Sequence, residues 1–374
     1  MATEVLPDDE ALREARRRRA LETMEAHGID VLVLGREANA RYVAGAPRLW
    51  TAGTRPFGPG CVIVRSTRAV HLVTSWDEGV PEDIPHENLF GITWNPGNLL
   101  AWLRCIEGVA DAKRVGTDSL TPRFAQLLPK VFASAELIDA EPALEAARQV
   151  KAPEEVAAIR AAVAVAETAL AAAVAELRPG VSEHQLAGVF MEAMARAGVT
   201  TPATQQVAWI TPGPPSRGGR RSKIAHPGDL VAFEAGVVAA GYTGEVGRTW
   251  PVGTTAVGDP IRDLYRRANH LWHRLLEACR PGAPCSDLLA AYEAAGEALP
   301  PFAIASGLGL GFDLPVVTRD LPATAAEEQL VPGTVLAVTA YVTDDSPHAV
   351  LRRDAVLVTD GGADVLTSAP HWSS

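Results

Sequence analysis

Residues 227–253 run PGDLVAFEAGVVAAGYTGEVGRTWPVG, and the way this stretch pairs with itself decides the fold. The runs DLVAFEAGVVAAGY and RTWPVG are strand-like, rich in the β-branched and aromatic residues that suit a pleated surface. Folded back on each other they make one hairpin. Glu234 and Glu245 then sit on adjacent strands and can point to the same face. Just upstream, His226 is a turn residue, because Pro-Gly follows it directly.

Working outward, the hairpin is framed by helices. PEEVAAIRAAVAVAETALAAAVAEL (153–177) is a long Ala-rich helix, with Pro153 at its start, where the missing N–H costs nothing. SEHQLAGVFMEAMARAG (182–198) opens on Ser182 as N-cap. After the hairpin come two more helices, 260–280 and 286–299, and then the strands TVLAVTAYV (334–342) and DAVLVTD (354–360). The order is two helices, strands, two helices, strands, so the second half is expected to be a duplicated α+β unit.

Before Lys151 the texture differs. A helix ends on Gly28, a natural C-cap. IDVLVL, CVIVRS, AVHLVTS, KRVGTD and AELIDA are short strands, interleaved with the helix TPRFAQLLPKVF and with EPALEAARQV. This alternation predicts a small α/β domain over 1–150, followed by a second domain over 151–374.

Bulk properties bound the function. The 374 residues are 47% hydrophobic and 21% charged, a globular composition. A net charge of -11 argues against a nucleic-acid binder, which needs a basic face to displace counterions. The basic run Arg16–Arg19 is expected to be a solvated helix face. No apolar run is expected to cross a bilayer, and the charged N-terminus is no signal peptide. The four cysteines, Cys61, Cys105, Cys279 and Cys285, fall in no zinc or CxxC spacing and are expected to be buried thiols of a cytoplasmic protein.

Several segments, in order, resemble the creatinase / Xaa-Pro aminopeptidase family. They are KAPEEVAAIRAA, the hairpin, RPGAPCSDL, ASGLGLGFDLP, VPGTVLAVTAYV and RRDAVLVTDGGADVLT, with RYVAGAPRLW in the first half. The resemblance implies a creatinase-type N-terminal α/β domain and a C-terminal α+β domain of the pita-bread (M24) type. It also implies a dinuclear metal site made by two Asp, one His and two Glu. Carried onto this chain, those positions fall on Glu234, Glu245, Leu308 (with Ser306 the nearest polar side chain), Thr339 and Arg353. Leu308 cannot ligate, Thr339 is a poor ligand, and Arg353 repels a cation. The expectation is therefore that no metal and no other cofactor is bound. The family's metal-free member, creatinase, uses a histidine whose position falls on Arg217 here, and a second family histidine falls between Asp313 and Pro315.

What remains is a candidate site of Glu234, Glu245, Arg353 and Asp313. Two carboxylates sharing a site raise one pKa and make a usable base, while Arg353 bridges them and Asp313 orients substrate; a structural ion pair in a dead site is the alternative. Arg217, with Arg220, Arg221 and Lys223, forms a basic loop suited to an anion. Ser306, Thr339 and Tyr341 complete the substrate contacts. From RLWTAGTRPFGPG (48–60), Trp50 and Arg55 are expected to reach a partner's cleft in a homodimer, as the resemblance implies. GLGLG is no dinucleotide loop, since the third glycine is missing at the required spacing.

Three functions follow. The first is a metal-independent, creatinase-like hydrolase or lyase acting on a small, anionic C–N compound. The second is a non-catalytic relative using the cleft to bind a ligand or protein, and the third a weakly metal-dependent Xaa-Pro-type aminopeptidase.

Overall fold

The structure is a computed structural model that describes residues 10–46, 59–74, 77, 79–91, 93, 95–204, 206–211, 222–253, 257–343 and 348–372. It divides into two compact units, one ending at Arg148 and the other beginning at Gln149.

In the first unit the helices are α1 (Glu10–Ala26), α2 (Glu37–Ala44), α3 (Pro96–Cys105), α4 (Pro122–Leu127) and α5 (Glu141–Gln149). The strands are β1 (Val31–Leu34), β2 (Cys61–Val64), β3 (Val70–Val73), β4 (Leu89–Phe90), β5 (Arg114–Thr117) and β6 (Glu136–Asp139). They form a mixed sheet in the order β4-β3-β2-β1-β5-β6. The sequence did not mark α2, α3 or β4. α3 starts on Asn95, whose side chain caps Gly97, with Pro96 at its first turn. Its leucines Leu99, Leu100 and Leu103 join the core of β-strand valines. The expected helix over 121–132 ends at Leu127 and tightens into a 3₁₀ turn over Leu128–Lys130, where Pro129 stops it. Cys61, Cys279 and Cys285 are buried, but Cys105, at the end of α3, is exposed, which corrects the expectation that all four are buried.

In the second unit the helices are α6 (Pro153–Ala175), α7 (Glu183–Arg196), α8 (Asp259–Ala278), α9 (Ser286–Ala295) and the short α10 (Ala323–Ala326). The strands are β7 (Ala208–Ile210), β8 (Leu230–Ala239), β9 (Tyr242–Pro251), β10 (Ala305–Gly309), β11 (Gly311–Val317), β12 (Val335–Thr343), β13 (Ala349–Thr359) and β14 (Gly362–Val365). The sheet order is β11-β10-β12-β13-β9-β8-β7, with β14 beside β13.

Each half of this sheet carries its own helix pair. α6 and α7 pack on Val231, Phe233, Ala235 and Val237 of β8. α8 and α9 pack on Leu336, Val338, Ala340 and Val342 of β12. Because side chains alternate along a strand, both pairs cover one face, and the residues between them in sequence point to the other. α6 can approach closely because it is Ala-rich and meets Gly244, where an added Cβ would lie 2.4 Å from the Ala162 carbonyl carbon. Among the described residues α6 is long and apolar enough to cross a membrane, contrary to the expectation of no such run. Half of that apolar window is buried within the fold, so here it serves as a core helix.

Candidate functional site

The site lies on the face opposite these helices, where the two halves of the sheet meet. At that seam β13 pairs with β9 through Arg353 and Gly247. Gly247 in turn faces Glu234 on β8, and Arg353 faces Thr339 on β12. Four strands thus set Thr339, Arg353, Gly247 and Glu234 in one row, with Glu245 two residues from Gly247 on the same face.

Gly247 is what lets this row close. A Cβ there would lie 2.8 Å from the Cβ of Arg353 and 2.6 Å from Cδ2 of Leu351. With hydrogen in that place, the Arg353 side chain crosses β9 to reach the glutamates. Its Nη2 lies 2.5 Å from Glu245 Oε2 and its Nη1 3.4 Å from Glu234 Oε1. Nη1 also donates to Thr339 Oγ1 at 3.0 Å, and Nη2 to Ser306 Oγ at 3.2 Å. Glu234, Glu245, Arg353, Ser306 and Thr339 are therefore one constellation.

The electrostatics separate the two carboxylates. The side chain of Glu234 is 28% exposed and that of Glu245 13%, and Glu245 holds the shorter ion pair. Burial pushes the Glu234 carboxyl above the usual range; Arg353 pulls it down and Glu245 pushes it up. Burial alone would depress the Arg353 guanidinium, but Glu245 and Glu234 outweigh it and hold its pKa above the ordinary value.

Asp313, the fourth candidate, has a partner of its own. It is buried on β11, and its Oδ2 takes an ion pair from Lys151 Nζ at 2.9 Å. It fastens the segment entering α6 to β11. Breaking such a buried pair typically costs about 3–5 kcal/mol. Tyr341 lies two residues from Thr339, packed edge-on against Phe302 at 5.2 Å, with burial pushing its phenol up to about 12. Of the other expected contacts, Arg217, Arg55 and Trp50 lie outside the described residues.

Trp209 is a neighbour that the sequence did not single out. It pairs with Ala232 on β8 and packs with Tyr341, Ala349 and Leu351. β7 is only three residues long and gives no periodic signal.

The metal-ligand positions implied by the resemblance do not fit a metal. Leu308 is apolar and buried, Thr339 accepts from Arg353, and the guanidinium reaches both carboxylates. At an effective dielectric near 20, a dication about 4 Å from that guanidinium meets repulsion on the order of 8 kcal/mol. Among the described residues no group of three or more His, Cys, Asp or Glu is placed to hold a metal.

The class is that of a two-unit chain whose sheet seam carries two carboxylates around one guanidinium, and known proteins give it a family. The sequence profile of Metallopeptidase family M24 matches residues 157–360, and that of the Creatinase/Prolidase N-terminal domain matches 16–150. The chain belongs to the M24 family, with a creatinase/prolidase N-terminal domain. It is 26% identical over 287 residues to the creatinase of Bacillus sp. (strain B-0618), covering 74% of this chain and 68% of that protein. It is 22% identical over 371 residues to an Xaa-Pro dipeptidase of Pyrococcus horikoshii, covering 94% and 96%. In structure it is similar to the X-Pro aminopeptidase of Thermotoga maritima, with TM-score 0.76 and 16% identity over 93% of this chain and 98% of that one.

Proposed function

We propose that the chain is a metal-independent hydrolase or lyase acting on a small C–N compound, with Arg353 standing where the family places metal. The observation that carries this is Arg353 within ion-pair distance of both Glu245 and Glu234. Glu245, the more buried and more tightly paired, anchors the guanidinium. Glu234, more exposed and with its pKa raised, carries the proton. In hydrolysis, Glu234 accepts a proton from water as the oxygen adds to the carbon, and returns it to the departing nitrogen as the C–N bond breaks. The described part of the site sets two carboxylates against one guanidinium, which suits a substrate whose reacting group is uncharged.

The test is turnover of small amides, ureas and amidines in excess chelator. Activity should survive chelation and fall by about 10²–10⁴ in Glu234→Gln, the range of a lost general base. Turnover that appears only with added divalent ions would overturn the proposal. A ligand-binding relative without catalysis is the second reading, and burial of Arg353 favours it; binding without turnover would select it.

A further inference from the structure

The two halves of the sheet are joined differently from the strands within each half. β8 and β9 pair without a break from Leu230↔Pro251 to Ala239↔Tyr242, and β12 and β13 from Val335↔Leu357 to Thr343↔Ala349. Between β9 and β13, among the described residues, the register is the single pair Gly247↔Arg353. Side chains make the other joints.

Alternate residues of a strand turn their N–H and C=O groups to the same edge. Arg353, Leu351 and Ala349 therefore offer theirs to one neighbour. The C=O of Arg353 accepts from Arg248 Nη1 at 2.9 Å, and the same nitrogen donates to the C=O of Gly247 at 2.7 Å. At Leu351 a hydroxyl takes the place of a partner strand. The Leu351 N–H donates to Thr249 Oγ1 at 2.8 Å, and Thr249 Oγ1 donates to the Leu351 C=O at 3.1 Å. At Ala349 the N–H donates to Thr211 Oγ1 at 3.1 Å. Arg248, Thr249 and Thr211 are all buried.

A hydroxyl has one proton to give and lone pairs to receive, so Thr249 alone satisfies both main-chain groups of Leu351. Its own C=O accepts from the Tyr265 hydroxyl on α8 at 2.8 Å, which fixes it from the helix side. Leu351 stands two residues from Arg353, a distance of about 7 Å along the strand. The Arg353 side chain starts on β13 and ends on carboxylates of β8 and β9. How far β13 stands from β9 thus decides whether the guanidinium reaches both.

We infer that Thr249 is a positioning residue: its hydroxyl, bridging the seam to Leu351, sets the spacing that holds Arg353 on Glu234 and Glu245 together. This rests on that constellation being the functional site, as proposed above.

The experiment compares crystal structures and turnover of the wild-type chain, Thr249→Val, Thr249→Ser and Thr211→Val. Valine keeps the branched shape but leaves the N–H and C=O of Leu351 without partners, which draws β13 away toward water. The wild type and Thr249→Ser should keep both ion pairs of Arg353. Thr249→Val should lose at least the one to Glu234, the longer of the two. Thr211→Val cuts a joint four residues from Arg353 and should leave both in place. On small amides, ureas and amidines, kcat should fall by about 10²-fold in Thr249→Val, the scale of a 1 Å misplacement, and recover in Thr249→Ser. Should Thr249→Val fail to fold, Thr249→Cys, whose thiol is a weak donor and acceptor, takes its place with the same expectation. Both ion pairs intact in the Thr249 variant would overturn the inference, and so would their equal loss in Thr211→Val. A wild type that turns over none of these compounds ends the catalytic proposal, and the crystal comparison still decides Thr249. Turnover by the wild type with both ion pairs intact in Thr249→Val would do the reverse.

Discussion

At the scale of single residues, Arg353 decides the character of the cleft. Without it, Glu234 and Glu245 would share one buried corner with no counter-charge. Arg353→Met should therefore destabilise the fold by about 3–5 kcal/mol near neutral pH. The sign of its pH dependence follows from Glu234, whose folded pKa lies above the usual value. A raised carboxyl contributes stability in acid and loses it as pH rises through the folded pKa. Arg353 is the influence that lowers it, so the variant should push it higher still. The deficit of Arg353→Met should thus be small in acid, where Glu234 is protonated, and grow toward neutral pH. Thermal unfolding across that range checks this, and a deficit independent of pH would contradict it. Much of this constellation was legible from alternation along the strands, which put Glu234 and Glu245 on one face. The ion pair of Asp313 was not legible because its partner, Lys151, lies 162 positions away, and no local pattern joins them. Trp209 was missed because its strand is too short to carry a period.

At the scale of elements, the hairpin β8–β9 and its seam with β13 set the geometry. The sequence gives the hairpin but places the second strand only at RTWPVG, whereas β9 begins at Tyr242. The turn is tight, with Ala240 at φ 47 and Gly241 at φ 88, and the absence of an obvious Asn-Gly or Asp-Gly signal hid it. The glycine-rich run 305–315 likewise forms two paired strands, β10 and β11, although glycines weaken a strand pattern. Gly247 is the position at which the seam is most sensitive. Gly247→Ala would set a methyl against Leu351 and Arg353, so one of them or the strand must shift. Overpacking of this kind typically costs about 1–3 kcal/mol. The denaturation midpoint should fall accordingly, and activity should fall with it as Arg353 is displaced from the glutamates. An unchanged midpoint would mean that the seam yields without strain.

At the scale of the whole molecule, each unit builds its own core, and the second repeats one plan of a helix pair over strands on either side of the seam. That duplication was visible in the order of helices and strands, because long periodic segments are the most legible part of any sequence. Assembly is a proposal resting on the loop 48–60, whose Trp50 and Phe57 are residue types enriched in interfaces. Light scattering at micromolar concentration should report a homodimer, and a monomer would remove any role for Arg55 in a partner's cleft. The central claim is that a guanidinium has replaced the family's metal ions. Elemental analysis of protein equilibrated with excess Mn, Co, Fe or Zn and then desalted tests it most directly. Metal well below one equivalent per chain is the predicted result; two equivalents per chain, lost together in Glu234→Gln, would contradict it.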